Sequence, residues 1–91
     1  MNNTEIISIE PATGAELWRG EHGNVDEAVE SARQAFPAWA MQGLNTRIEL
    51  LRRFVNEVRK EYDAFSELIA RETGKPLWEA QTEVDAVMNK V

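Results

Sequence analysis

Ile6, Ile7 and Ile9 form a short β-branched run that Pro11 closes, and Leu17-Trp18-Arg19 forms a second run ended by Gly20. Between them, Pro11-Ala12-Thr13-Gly14 carries turn chemistry: proline presets φ at the second position, and Gly14 tolerates a positive φ. Two β-branched or aromatic runs around such a turn predict a β-hairpin over about residues 5–20. An isolated hairpin is marginal in water, so these strands need a sheet or a helix to pack on.

Beyond the loop Glu21-His22-Gly23 the apolar spacing changes to that of a helix. Asn24 with Glu27 three residues on has the spacing of a capping box, and Asp26 places negative charge in the first turn. Val25, Ala28, Val29, Ala32, Ala35 and Phe36 recur on one face, which predicts a first helix over about 25–36. Pro37 ends it or starts a short turn carrying Trp39, and Gly43 and Asn45 interrupt the pattern. A second helix is expected from about Asn45 or Thr46 to residue 60, with Thr46 and Glu49 again at capping-box spacing. Its buried face is Ile48, Leu51, Val55 and Val58, flanked by Leu50 and Phe54. Glu49 and Arg53 stand four apart in the favourable order, worth about 0.2–0.5 kcal/mol.

A break near Tyr62-Asp63 opens a third helix, about 63–73, bearing Phe65, Leu68 and Ile69, and Gly74 stops it. Pro76 suits the first turn of a fourth helix, about 76–91, because its missing N–H would be unpaired there anyway. Val84, Val87, Met88 and Val91 form its apolar stripe. With no cap after it, this stripe reads as a helix cut in mid-pattern. The fold class expected is mainly α with an N-terminal β-hairpin. No internal repeat, linker or low-complexity segment divides the chain, and 91 residues suit one domain at most.

Composition narrows the function. Hydrophobic residues make up 43% and charged residues 29%, which suits a globular chain rather than a disordered one. The net charge of −6 repels phosphate backbones and anionic membranes, so no nucleic-acid and no membrane partner is expected. Cysteine is absent, which removes disulfides and thiolate chemistry. The start, Met1-Asn2-Asn3-Thr4-Glu5, lacks the basic and apolar regions of a secretory signal. No apolar run approaches the roughly 18 residues of a membrane span. A cytoplasmic location is the resulting expectation.

Candidate chemistry is sparse. Thr73-Gly74-Lys75-Pro76 resembles a phosphate loop, but such a loop needs a glycine at position 69 and Ser or Thr at 76, where Ile69 and Pro76 stand. A helix stop followed by a helix start explains it better. His22 is the only histidine, and no cysteine or second histidine completes a metal site with it. Glu79 and Glu83, like Glu57 and Glu61, lie one turn apart and read as solvated surface. Arg47, Arg52, Arg53, Arg59 and Lys60 interleave with Glu49 and Glu57 as salt-bridge decoration rather than a phosphate track. Trp18, Trp39 and Trp78 read as core or interface anchors. No catalytic, cofactor-binding or metal-binding residue is assigned within the chain.

Several segments nevertheless resemble one enzyme family. Glu10-Pro11-Ala12-Thr13-Gly14-Ala15-Glu16 resembles the Asn-Pro-x-Thr/Ser-Gly-Glu segment near the start of aldehyde dehydrogenases, with Glu10 in place of Asn and Ala15 inserted. Ala35-Phe36-Pro37-Ala38-Trp39 is similar to the family's Ala-Phe-x-x-Trp element, and Thr46-Arg47-Ile48-Glu49-Leu50-Leu51 to its Arg-x-x-x-Leu helix start. Glu72-Thr73-Gly74-Lys75-Pro76 resembles Glu-x-Gly-Lys-Pro, and Glu83-Val84 the Glu-Val of the next helix. Their order and spacing span nearly the whole chain. Leu17-Trp18-Arg19-Gly20, the run Ile69 to Ala80, Thr82-Glu83-Val84 and Met88 to Val91 most resemble the branch whose substrate is N-succinylglutamate 5-semialdehyde, of arginine catabolism.

The resemblance implies a parent α/β fold with a Rossmann-like cofactor domain, of which residues 1–91 are an incomplete N-terminal part. It implies an NAD- or NADP-dependent oxidation of an aldehyde to an acid, through a cysteine nucleophile and a glutamate-activated water. The family's Cys, general-base Glu, oxyanion Asn and glycine-rich cofactor segment are expected beyond position 91. The 91 residues are therefore expected to be inactive alone and to bind no NAD or NADP. Their expected partners are the remainder of the dehydrogenase chain and the other subunits of a homo-oligomer. The alternative reading is a self-standing acidic helical protein-binding module without catalysis.

Overall fold

In a computed structural model, which describes residues 5–91, the first two elements are the expected hairpin. Strand β1 (Glu5–Ile9) runs antiparallel to β2 (Glu16–Glu21). The pairing of Ser8 with Trp18 and of Ile9 with Glu16 leaves Leu17 as an extra residue, a bulge beside the turn. In the turn, the Glu10 carbonyl accepts from Gly14 N at 2.8 Å and Glu10 N donates to the Ala15 carbonyl at 2.8 Å. Gly14 has φ 77°, the left-handed conformation that glycine adopts without a Cβ clash. The second strand runs one residue past Gly20, because Glu21 pairs with Glu5. The reading of Met1–Thr4 lies outside the described residues.

Helix α1 (Val25–Ala40) begins where the capping signal placed it, with the Asn24 side chain accepting from Glu27 N at 3.0 Å. It does not end at Phe36. Pro37 lies inside it, and the Met41 N–H closes a further turn on the Pro37 carbonyl. Proline's φ already suits a helix, and the cost is a missing partner for the Arg33 carbonyl. Arg33 is exposed, so water can take that role.

Helix α2 (Leu44–Lys60) starts earlier than the Thr46–Glu49 pair indicated, with Gly43 as its N-cap and no side-chain cap. Thr46 lies inside the first turn, so its hydroxyl is not placed to cap. A single residue, Glu61, separates α2 from α3 (Tyr62–Thr73). Gly74, at φ 77°, ends α3 by donating its N–H to the Ala70 carbonyl at 2.9 Å. Pro76 is the N-cap of α4 (Leu77–Asn89) rather than its first residue, since its ψ of 148° is extended. This helix stops at Asn89, with the Lys90 N–H on the Ala86 carbonyl, so Val91 lies beyond it.

Helices α3 and α4 form a helical hairpin across the short Gly74-Lys75-Pro76 connection, and they pack most closely. Small side chains permit the approach: Ser66 on α3 and Ala80 and Val84 on α4 are the fully buried residues among those described. The Ser66 hydroxyl donates to the Tyr62 carbonyl at 2.7 Å, so no buried polar atom is stranded there. Helix α2 packs lightly on both, and α1 has no extensive packing partner.

The core expected from periodicity does not close. Of the predicted apolar stripes only Val84 is buried, while Phe36 is 64% and Val25 74% exposed. The accessible surface is 7475 Å², against about 5,400 Å² for a compact chain of this mass. The radius of gyration is 17.1 Å, where compact packing gives about 12 Å. The elements form a slab 49 × 40 × 16 Å, about one helix thick. A slab this thin gives each apolar stripe a neighbour on one side only. Periodicity located the apolar stripes, but within the slab only Val84, at the α3–α4 contact, is fully covered.

Candidate functional site

Three of the segments that carry sequence resemblance, those of the hairpin, of residues 69–80 and of α4 around Glu83, meet at the C-terminal end of α3, whereas those on α1 and α2 lie elsewhere. Arg71 and Glu72 occupy its last turn, Thr73 to Pro76 form the exit, and the hairpin lies against it. Glu10, at the hairpin turn, has a side chain only 15% exposed. Its carboxylate accepts from the Thr13 hydroxyl at 2.6 Å and from Arg71 Nε at 2.9 Å. Trp18 of β2 lies across Gly20, where a Cβ would meet the indole at 3.6 Å. Its Nε1 donates to Glu72 Oε1 at 2.6 Å.

On the other side of the exit, Lys75 is ion-paired with Glu83 of α4. Thr73 turns its hydroxyl back to the Ile69 carbonyl at 2.7 Å, and the same oxygen accepts from Lys75 N at 3.2 Å.

The electrostatics follow from this pairing. The Thr13 hydrogen bond, and then Arg71, hold the Glu10 carboxyl below its ordinary value of 4.5 against the opposing effect of desolvation. The hydrogen bond from Arg71 to Glu10 raises the arginine further, and Glu83 raises Lys75 in the same way. All these groups are held in their charged forms at neutral pH. A carboxylate shared between a hydroxyl and a guanidinium has little basicity left for proton abstraction. The junction's chemistry is that of positioning.

It also does not fit a nucleotide phosphate. The Gly74 N–H is committed to Ala70, the Lys75 N–H to Thr73 and the Lys75 ammonium to Glu83. A phosphate cradle requires such donors to converge outward.

The remaining candidates disperse. His22 is exposed in the loop after β2, and the described residues contain no group of three or more His, Asp or Glu placed to hold a metal. Glu83 is drawn to Lys75, away from any cation site with Glu79. Glu57 pairs with Lys60 at 2.9 Å, and Glu49 with Arg53 at 2.9 Å as expected. Trp18, Trp39 and Trp78 are all exposed, at 41%, 37% and 66%, so none is the core anchor their spacing suggested, and Trp18 is held by its hydrogen bond to Glu72. Tyr62 is half-buried and its phenol is raised, chiefly by burial and then by Asp85. Among the described residues, no helix is long and apolar enough to cross a membrane.

Sequence reasoning missed the joining of Glu10 to Arg71 and of Trp18 to Glu72. Partners 61 and 54 residues apart leave no periodic or capping signature. The only signal was that two motifs of one resemblance held the partners or their chain neighbours.

Among the open grooves of the described surface, two carry apolar side chains. One, about 260 Å³, is apolar and lined by Phe54, Val58, Phe65, Ile69, Val84 and Val87. The other, about 460 Å³, runs along α2 past Ile48, Leu51, Val55 and Arg59 to Val91.

Comparison with known proteins accounts for the motifs. The chain is 66% identical over 91 residues to the N-succinylglutamate 5-semialdehyde dehydrogenase of Novosphingobium aromaticivorans, covering 100% of this chain and 19% of that protein. It is 59% identical over 87 residues to the protein of the same name from Sphingopyxis alaskensis, covering 96% of this chain and 18% of the relative. A third of that name, from Pseudomonas fluorescens, is 45% identical over 87 residues, with 92% and 18% covered. The chain thus spans about a fifth of the length of the curated relatives it matches. The family model described as the aldehyde dehydrogenase family matches residues 1–91, and the chain belongs to that family.

Proposed function

We propose that these residues are the N-terminal scaffold of an NAD- or NADP-dependent, cytoplasmic dehydrogenase that oxidises N-succinylglutamate 5-semialdehyde to the corresponding acid. The observation that carries the reading is the 66% identity, unbroken across the chain, to a relative named for that substrate. In this reading residues 1–91 form an incomplete part of an α/β cofactor domain. The chemistry, a cysteine attack with hydride passing to the nicotinamide, belongs to residues outside it. What this chain supplies is shape. The hairpin, the α3 exit and α4 are locked together by Glu10, Arg71, Trp18, Glu72, Lys75 and Glu83. The apolar faces of α1 and α2 await the rest of the enzyme and its neighbouring subunits.

A self-standing helical module would need a closed core of its own. The exposed stripes on α1 and α2 favour the scaffold reading instead, since a monomeric module rarely leaves such faces open.

The test is made on the full-length enzyme carrying this segment, followed by the appearance of NADH or NADPH. N-succinylglutamate 5-semialdehyde should give a higher kcat/KM than simple alkyl aldehydes. Equal or better turnover of the simple aldehydes would contradict the substrate assignment. No aldehyde-dependent reduction of either nucleotide would contradict the activity itself.

A further inference from the structure

The charges of α2 are sorted by face. Its two carboxylates, Glu49 and Glu57, are taken by Arg53 and Lys60, each at 2.9 Å. Arg52 and Arg59 lie roughly a third of a turn away, on one line of the helix and about 10 Å apart along it. Among the described residues Arg52 has no acceptor, and Arg59 Nη1 donates to Asn56 Oδ1 at 2.8 Å. Near the start of the helix, Arg47 Nε is buried with no acceptor among the described residues. The chain has 16 acidic and 10 basic residues, so a shortage of carboxylates does not explain arginines left without one.

Arg52 and Arg59 border the groove of about 460 Å³ that Ile48, Leu51 and Val55 also line. Apolar residues spaced by three and four, with charges along their edge, are the pattern by which one helix receives another. The seam supplies contact and the flanking charges choose the partner. A second copy presenting its own α2 about a two-fold axis would set arginine against arginine. Charge therefore opposes self-pairing and calls for an occupant acidic on its flank. Val91, just past the end of α4, lines the same groove.

Taking the scaffold reading as given, we propose that this groove holds an α-helical stretch of the same enzyme chain, following Val91. It packs apolar side chains on Ile48, Leu51 and Val55 and sets carboxylates against Arg52 and Arg59. The two arginines fix its register: charges about 10 Å apart match carboxylates about seven residues apart on a helix, but about three apart on a strand.

The test uses the full-length enzyme carrying Arg52→Lys or Arg59→Lys, each of which keeps the positive charge. A zero-length carbodiimide condenses a lysine with a carboxylate that touches it, and peptide mass spectrometry identifies the pair. Lys60 with Glu57, at 2.9 Å, is the internal positive control. Each introduced lysine should couple to an Asp or Glu that follows Val91 in its own chain, with no dimer on a denaturing gel. The carboxylates reached from the two positions should lie about seven residues apart.

Coupling to another subunit, coupling within residues 1–91, or carboxylates about three residues apart would overturn the proposal. No coupling at either position, under conditions where Lys60 couples to Glu57, would also overturn it. Turnover of N-succinylglutamate 5-semialdehyde is read separately. An enzyme that couples as expected but does not oxidise this aldehyde contradicts the substrate assignment, whereas an active enzyme without the coupling contradicts only the groove's occupant.

Discussion

Replacing Ala80 by leucine tests the one tightly packed place in the slab. Ala80 is 0% exposed and Ser66 is 1% exposed on the facing helix, so at this point of the α3–α4 contact small side chains set the spacing. An isobutyl group there has no void to enter, because the apolar groove nearby opens through Val84 and Val87 rather than Ala80. Overpacking of a close contact costs about 1–3 kcal/mol. The short Gly74-Lys75-Pro76 connection limits how far the helices can slide apart, which places the cost near the middle, about 2 kcal/mol. At about 1.4 kcal/mol per tenfold change in an equilibrium constant, opening of the helical hairpin becomes roughly thirty-fold more frequent.

Native-state hydrogen exchange of the α3 and α4 amides measures that opening directly. Ala86→Leu, on the exposed side of α4, makes the same change without the clash and should leave exchange nearly unchanged. If Ala80→Leu exchanged no faster than Ala86→Leu, the close approach of α3 and α4 would be refuted.

Three further outcomes follow from local geometry. Gly74→Ala forces a Cβ into the left-handed region at φ 77° and should destabilise the end of α3 by about 1–2 kcal/mol, read as faster exchange of the Arg71 and Glu72 amides in its last turn. Asn24→Ala removes the acceptor for Glu27 N and should lower α1 stability by about 1 kcal/mol, seen as fraying at Val25–Ala28. The third outcome concerns pH. Glu10 is depressed in the folded chain, so hairpin docking is fully stabilised above the ordinary carboxylate value of 4.5 and is lost as pH falls through the lower folded value. Arg71 stays charged throughout, with Glu67 4.0 Å from it on the same helix and Glu72 facing Trp18. Docking of the Glu10 turn on Arg71, read as the distance between spin labels at Ala12→Cys and Ala86→Cys, should therefore hold from neutrality to about pH 4.5 and weaken below it. Glu10→Gln should weaken docking at neutral pH and flatten this acid transition, and an undiminished transition in that variant would assign it to other carboxylates.

How much could be read from the sequence depended on the range of each signal. Asn24, Gly74 and the Pro11–Gly14 turn act within a few residues, where φ preference and a single side-chain acceptor decide the outcome, and all three appear as expected. Pro37 shows the limit of such rules. A proline near the end of an exposed helix forfeits a bond that water can replace, so the helix continues to Ala40. Periodicity identified apolar stripes on α1 and α2 but carries no information on what covers them. Glu10, Arg71, Trp18 and Glu72 were each visible as residues, and Glu10 as a departure from its motif. Their meeting across 54 and 61 positions depends on how α3 exits toward the hairpin, which no local pattern encodes.

In the scaffold reading proposed above, these residues complete a larger dehydrogenase without performing its chemistry. Fragment complementation tests it most directly: the 91-residue chain and the separately expressed remainder of the enzyme are assayed alone and mixed, with N-succinylglutamate 5-semialdehyde and NAD⁺ or NADP⁺. The chain alone should give no turnover, the remainder little or none, and mixing the two should recover it. Turnover by the 91-residue chain itself, or full activity of the remainder without it, would refute the scaffold role.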